Sequence, residues 1–191
     1  MREPASIDAF FAATTVELGA VDVLVNNAGT AAPGALHEMS DEQHERILLT
    51  NLLGPMLVTK RVVADLRARN APGDIVFISS DATVHPRPYL GTYGASKAGL
   101  ESYATTLAME CEGFPIRSSI VRVGPTVTGF ADDWDLEQFT SIFPNWQRFG
   151  IQRHFNTMQP EDVARAVVTT VTAPPHMWIP VVEVQPQPPS S

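Results

Sequence analysis

The stretch Asp74-Ile75-Val76-Phe77-Ile78-Ser79-Ser80 decides the fold. Four apolar residues in succession leave no face for water, so Asp74–Ser79 predicts a strand buried on both sides, as in a parallel sheet covered by helices. Asn70 to Gly73 before it is a stop signal. Towards the N-terminus, Val21 to Val25 is a short β-branched run that ends in Asn26-Asn27-Ala28-Gly29, a strand entering a turn where glycine tolerates positive φ. Between the two strands, Ser40 with Gln43 has capping-box spacing, and Ile47, Leu48, Leu52 and Leu53 recur at helical intervals. Gly54-Pro55 should bend that helix before it continues to Arg69. Towards the C-terminus, Thr92 to Cys111 carries the stripe Leu100, Tyr103, Leu107 and Cys111 and predicts a helix packed on the sheet. Ile116 to Val123 predicts a strand ending at Gly124-Pro125, Pro160 to Thr172 a helix, and Met177 to Val184 a last strand. This alternation is that of an α/β protein with a mainly parallel sheet. Residues 185–191 form a proline-rich tail, expected to be disordered.

The 191 residues carry 13 Lys plus Arg against 21 Asp plus Glu, a formal charge of −8. The only lysines are Lys60 and Lys97, so no basic patch is visible and nucleic acid is not an expected partner. The single Cys111 cannot form an intrachain disulfide, which fits a reducing cytoplasm. Glu3, Pro4 and Asp8 interrupt the apolar stretch that a signal peptide needs. No apolar run approaches a membrane span, so a soluble, cytoplasmic protein without membrane contact is expected. Histidines 37, 44, 85, 154 and 176 show no ligand spacing, and no metal site is expected.

The chemistry gathers on the third helix. Tyr93-Gly94-Ala95-Ser96-Lys97 sets a phenol and an ammonium four residues apart, on one helical face. A tyrosine titrates at about 10, and bringing it near neutrality takes about 4 kcal/mol of preferential stabilisation of the phenolate. One desolvated ammonium beside a positive cofactor ring is a plausible source. Ser80 lies at the carboxyl end of the buried strand, where open α/β sheets place their ligands. Asn51 precedes Gly54-Pro55, where an interrupted helix leaves a carbonyl free to hold a water; the plainer reading is an amide that braces the bend.

Together these features resemble the short-chain dehydrogenase/reductase family. The resemblance is carried by Asn26-Asn27-Ala28-Gly29 after a strand, Asn51, Ser80, Tyr93-x-x-x-Lys97, and Val123-Gly124-Pro125-Thr126-Val127-Thr128 after the next strand. It runs from about Glu3 to Val184. It implies a Rossmann-like, doubly wound parallel sheet and an oxidoreductase that interconverts a carbonyl and an alcohol with NAD or NADP. Tyr93 would be the general acid/base, and Lys97 would lower its pKa and bind the nicotinamide ribose. Ser80 would orient the carbonyl, and Asn51 would hold a proton-relay water. Asn26, Asn27, Ala28 and Gly29 would border the cofactor, with Gly124, Thr126 and Thr128 on its carboxamide and phosphates. The family's usual Pro-Gly pair reads Val123-Gly124 here, followed by Pro125.

The family opens with a glycine-rich turn that receives the pyrophosphate, yet no two of the 12 glycines are separated by a single residue. The helix Pro4 to Leu18 resembles the one just before the Asn-Asn-Ala-Gly strand. Residues 1–184 thus read as a single incomplete Rossmann-like domain lacking its first strand-helix units, about 60 residues at about 30 per unit. The strand from Val21 would then have an unpaired apolar edge. Two functions follow: an NAD(P)-dependent oxidoreductase present here by its catalytic portion, or a cofactor-free remnant serving as a binding or interaction module. The 191-residue chain alone is expected to bind dinucleotide poorly and to associate. The full-length enzyme is expected to be a homo-oligomer acting on a small molecule. Phe130, Trp134, Phe139, Phe143, Trp146, Phe149 and Phe155 crowd one segment, implying by resemblance a lid over an apolar substrate, or else a packed helical lobe or subunit contact. Neither substrate identity nor the choice between NAD and NADP is legible.

Overall fold

In the computed structural model, residues 4–131, 134, 136–151 and 154–190 are described; for Pro4, Ala131, Leu136, Gln138 and Phe139 the description is of the backbone only. Glu3, where the resemblance starts, lies outside the described residues, as does the side chain of Phe139.

Strands β1 (Val23–Asn26), β2 (Gly73–Ser80), β3 (Ile116–Val123) and β4 (Val181–Val184) form one parallel sheet in the order β1-β2-β3-β4. Helices α1 (Pro4–Leu18), α2 (Asp41–Leu48), α3 (Gly54–Arg69), α4 (Gly91–Glu110), α5 (Leu136–Arg148) and α6 (Pro160–Val171) surround it. The apolar run of β2 has the burial its sequence requires. Ile75 and Phe77 pack with Val62, Val63 and Leu66 of α3 and with Leu100, Ala104 and Leu107 of α4. Val76 and Ile78 face the other way, against Val121 of β3 and Ala166 of α6. Alternate residues of one strand thus bury two helix layers, which is why no polar face interrupts the run.

Helix boundaries follow local chemistry. Ser40 caps α2 through a capping box with Gln43. Asn70 ends α3 in the left-handed region at φ 51°, within the stop signal. The bend expected at Gly54-Pro55 is a π-helical turn, Leu49–Leu53, immediately before the proline, so α2 and α3 run on as one helical path.

Three expectations need correction. Strand β4 begins at Val181 rather than Met177: Pro180 has no N–H for the ladder, and the Met177 N–H closes a turn on the Pro174 carbonyl. The proline-rich segment, expected to be free, packs at its start: Pro186 is buried and Asn156 donates to the Gln187 carbonyl at 2.8 Å. The helical stretch Asp41–Arg69 does contain a window of mean hydropathy 1.4, long and apolar enough to cross a membrane by length and composition. Its Val58, Val62, Val63 and Leu66 are buried inside this fold, as the core helix of a globular sheet requires. Strand β1 lies at the end of the sheet, with Val23 and Val25 47% and 38% exposed.

Candidate active site

The carboxyl ends of β1, β2 and β3 open into one cavity of about 1200 Å³. Open parallel sheets bind ligands at that end because the turns there expose backbone and place side chains without disturbing the core. Asn27, Ala28 and Gly29 line it from β1, Ser80 from β2, and Gly124, Thr126 and Thr128 from beyond β3. Tyr93 and Lys97 reach it from the first turns of α4.

Lys97 is buried, and its Nζ donates to the Ile78 carbonyl at 2.7 Å. Burial disfavours the ammonium and brings its pKa down to about 8. Nζ lies 5.9 Å from the Tyr93 ring centre. The bond to Ile78 is the only side-chain hydrogen bond of Lys97 among the described residues, so two N–H donors remain at the cavity. The expected lowering of the Tyr93 pKa by Lys97 is not found in the chain itself. Burial raises the phenol above its usual value; a hydrogen bond with Ser80 lowers it, the Asp81 carboxylate raises it and Arg87 lowers it. Desolvation wins because burial costs the phenolate more than the Ser80 hydrogen bond and the Arg87 guanidinium return, and the Lys97 ammonium is itself disfavoured by burial and bonded to the Ile78 carbonyl.

Asn51 is fully buried and does not line the cavity. Its Oδ1 accepts from the Thr30 N–H and its Nδ2 donates to the Thr30 carbonyl, both at 2.8 Å, and Nδ2 also donates to Ser96 Oγ at 3.0 Å. The side chain therefore ties the loop after β1 to α4 from inside the π-helical turn. Asn26 also points away from the cavity, donating to Thr59 Oγ1 at 3.0 Å. Both hold the turn in place; Gly29 is the floor, where an added Cβ would sit 3.5 Å from Lys97 Nζ and 3.6 Å from Asn51 Oδ1. At Gly124 a Cβ would run into the Gln185 side chain, so the strand end and the C-terminal segment approach closely there.

The opposite wall is aromatic. Phe130, Trp134, Phe143, Trp146 and Phe155 line the cavity, while Phe149 points outward. Phe130 lies 5.3 Å from the Tyr93 ring, and Phe143 stacks on Phe155 at 5.0 Å. Trp146 is buried and packs with Leu90, Ile142 and Tyr93. Rings of this segment thus pack on one another and on Tyr93 and also face the cavity.

Sequence reasoning missed two groups. Asp81 and Arg87 form a buried ion pair in the cavity wall, and Glu101 accepts from Ser79, Thr83 and Arg122 beneath it. Neither belongs to a motif; Glu101 lies one turn beyond Lys97 on α4, a spacing that was available to find it.

A family model described as short chain dehydrogenase matches residues 1–138. The 2,3-dihydro-2,3-dihydroxybenzoate dehydrogenase of Bacillus subtilis is 32% identical over 177 residues, covering 90% of this chain and 67% of that protein. The 3-ketodihydrosphingosine reductase of Bacteroides thetaiotaomicron is 37% identical over 124 residues, 65% of this chain and 46% of that protein. The chain thus spans from about half to two thirds of the length of these relatives. The closed form of a serine dehydrogenase complexed with NADP+ superposes with a TM-score of 0.82 at 29% identity, covering all of this chain and 75% of that one. The chain belongs to the short-chain dehydrogenase family.

Proposed function

We propose that this member of the family is the catalytic part of a nicotinamide-dependent oxidoreductase that reduces the carbonyl of an apolar small molecule. The observation that carries the proposal is the buried Lys97 beside Tyr93, with two N–H donors left over at a cavity that has an aromatic wall opposite. A buried ammonium is costly, and a fold with no use for it would be relieved by an apolar residue. That cost also makes a cofactor-free interaction module the weaker reading.

The residues present fit the nicotinamide-ribose half of a dinucleotide. Lys97 has donors for ribose hydroxyls, the Asn27–Gly29 turn has no side chain beyond Cβ at Ala28 and Gly29, and Thr126 and Thr128 offer hydroxyls near Gly124. The pyrophosphate half finds no Gly-x-Gly turn in the 191 residues. We assign the binding of that half to a segment outside these 191 residues, which the partial coverage of the relatives supports.

When bound, the nicotinamide supplies the hydride for the carbonyl carbon. Ser80 Oγ donates a hydrogen bond to the carbonyl oxygen and fixes its direction. Tyr93 Oη–H gives that oxygen its proton. Its raised pKa keeps the phenol protonated at neutral pH, the state reduction needs. Lys97, at about 8 and 5.9 Å from the Tyr93 ring, exchanges protons near neutral pH and is the group from which the phenol recovers its proton. Asn51 acts by holding Thr30 and Ser96, and with them the turn and α4. The aromatic wall excludes water and receives the apolar part of the substrate.

The test is NADH- or NADPH-dependent reduction of aryl and alkyl ketones, by the 191-residue protein and by the protein read from an in-frame start upstream of Met1. Reduction by the longer protein, abolished by Tyr93→Phe, is expected. Reduction by neither, with both folded, overturns the proposal.

A further inference from the structure

The proposed chemistry leaves one pair of charges in the cavity wall unused. Asp81 follows Ser80 at the end of β2, and Arg87 lies in the loop that leads into α4. Nη1 and Nη2 of Arg87 meet Oδ1 and Oδ2 of Asp81 at 2.7 and 2.9 Å, and each side chain is 8% exposed. Asp81 is also approached by Ser80 Oγ at 3.3 Å and by Gln185 Nε2 at 3.4 Å. The loop is held from above as well: Trp146 Nε1 donates to the Pro88 carbonyl at 2.8 Å, the Trp146 ring lies 6.0 Å from Arg87 Cζ, and Tyr89 takes a φ of 69°. A bulky side chain such as tyrosine, unlike glycine or asparagine, adopts that region only where surrounding contacts require it.

We propose that Asp81 and Arg87 are a positioning pair that sets the electrostatic potential at the Tyr93 hydroxyl. The proposal rests on the reading of Tyr93 as proton donor for its functional meaning. Both charges line the same cavity as Tyr93, next to the Ser80 hydroxyl that bonds it, and each side chain is only 8% exposed, so water screens them less than it screens surface charges. A buried ion pair is poor as a stability device, since two apolar residues fill the same space without desolvating charge. What an apolar pair does not provide is a local field. The carboxylate opposes formation of a phenolate and the guanidinium favours it, so the phenol responds to their balance.

Among the described residues one other charge faces Tyr93: the Lys97 ammonium, 5.9 Å from the ring, acts on the phenol too but is the same in the wild type and in every variant of the pair. Lys97 on α4 directs Nζ to the Ile78 carbonyl, Ser80 on β2 is uncharged, and Phe130 from the opposite wall is apolar. The turn after β1 contributes Asn27, Ala28 and Gly29, also uncharged. Glu101, one turn beyond Lys97, is neutralised by Arg122.

The experiment is a direct titration of the Tyr93 phenol, read as phenolate absorbance after rapid pH jumps and isolated by subtracting the Tyr93→Phe protein. It needs no cofactor and no turnover. Asp81→Asn should lower the phenol pKa and Arg87→Met should raise it, each by about one unit, the size expected of one poorly screened charge. Arg87→Lys, which keeps the charge, should return most of the Arg87→Met shift, and Asp81→Asn combined with Arg87→Met should lie near the wild type. If Arg87→Met does not fold, the near-isosteric Asp81→Asn and the double variant still give the sign. Shifts of the same sign in both single variants, or no shift in Asp81→Asn, overturn the proposal. Opposite shifts in a protein whose Tyr93→Phe variant still reduces ketones would leave the field intact and remove Tyr93 from the chemistry, so the two failures are distinguishable.

Discussion

The α4 wall of the cavity buries hydroxyls, an amide and charges, each tied to a backbone or side-chain partner, whereas the α5 wall presents aromatic rings. Lys97, Ser96, Asn51 and Ser80 are held on one side by named hydrogen bonds to Ile78, Tyr93, Thr30 and Ala82. On the other, Phe143 and Phe155 are held by stacking, and Phe155 is 74% exposed. Directional bonds fix atoms to within the tolerance that proton transfer needs, while ring packing fixes only shape and leaves room to adjust. On the proposed function, the first wall carries the chemistry and the second the recognition.

The largest effect should come from the polar wall. Tyr93→Phe removes one oxygen, and in the cofactor-competent enzyme it should lower kcat by about 10²- to 10⁴-fold with little change in KM, measured by steady-state ketone reduction. An equal effect on KM alone would move Tyr93 from chemistry to binding and dissolve the contrast.

Lys97→Met sharpens the contrast through stability. The folded-state pKa of about 8 lies below the ordinary 10.5, so the fold disfavours the ammonium. The penalty is fully present below pH 8 and is relieved as pH rises from 8 towards 10.5. The methionine variant should therefore be more stable below pH 8, by up to about 3 kcal/mol less the lost bond to Ile78, and lose its advantage as pH rises. It should also lose reductase activity. Urea unfolding at several pH values checks the first part. Destabilisation across the whole range would show that Lys97 is structural.

For the aromatic wall, Phe155→Ala should raise KM about tenfold and leave kcat within about twofold, because an exposed ring contributes about 1 kcal/mol of contact and carries no proton. A fall in kcat comparable to that of Tyr93→Phe would merge the two walls into one catalytic unit.

The smallest effect concerns the network beneath the polar wall. Burial raises the Glu101 pKa, but hydrogen bonds from Arg122, Ser79 and Thr83 outweigh it and hold the carboxyl below its ordinary 4.5. That stabilisation is present above about pH 4.5 and is lost as pH falls through the lower folded value. Glu101→Gln should flatten the fall in unfolding midpoint below pH 4.5, as thermal melts at stepped pH would show.

How much of this is legible in the sequence follows the same division. Runs such as Ile75–Ile78, the Ser40–Gln43 box and the Asn70 stop specify local structure by themselves, and the structure has all three. Tyr93, Lys97, Ser80, Gly29, Gly124, Thr126 and Thr128 are legible because motif spacing on a strand end or helix face places them at one cavity. Asn26 and Asn51 do not line it, because their amides turn to Thr59 and Thr30, which lie 33 and 21 residues away and which no local pattern encodes. The Asp81–Arg87 pair escapes for a related reason, since six residues of loop give no period from which to infer a contact. The sign of the Tyr93 shift is not legible because burial, which dominates it, is a tertiary quantity.

The central claim is that the polar wall carries out nicotinamide-dependent carbonyl reduction, and isotope transfer tests it most directly. Reduced cofactor bearing deuterium at the nicotinamide C4 position is incubated with an aryl ketone and the protein read from an upstream in-frame start. Deuterium on the carbinol carbon of the alcohol, absent from the Tyr93→Phe reaction, is the predicted result. A folded protein that transfers no label from either NADH or NADPH to any ketone tried would contradict the account.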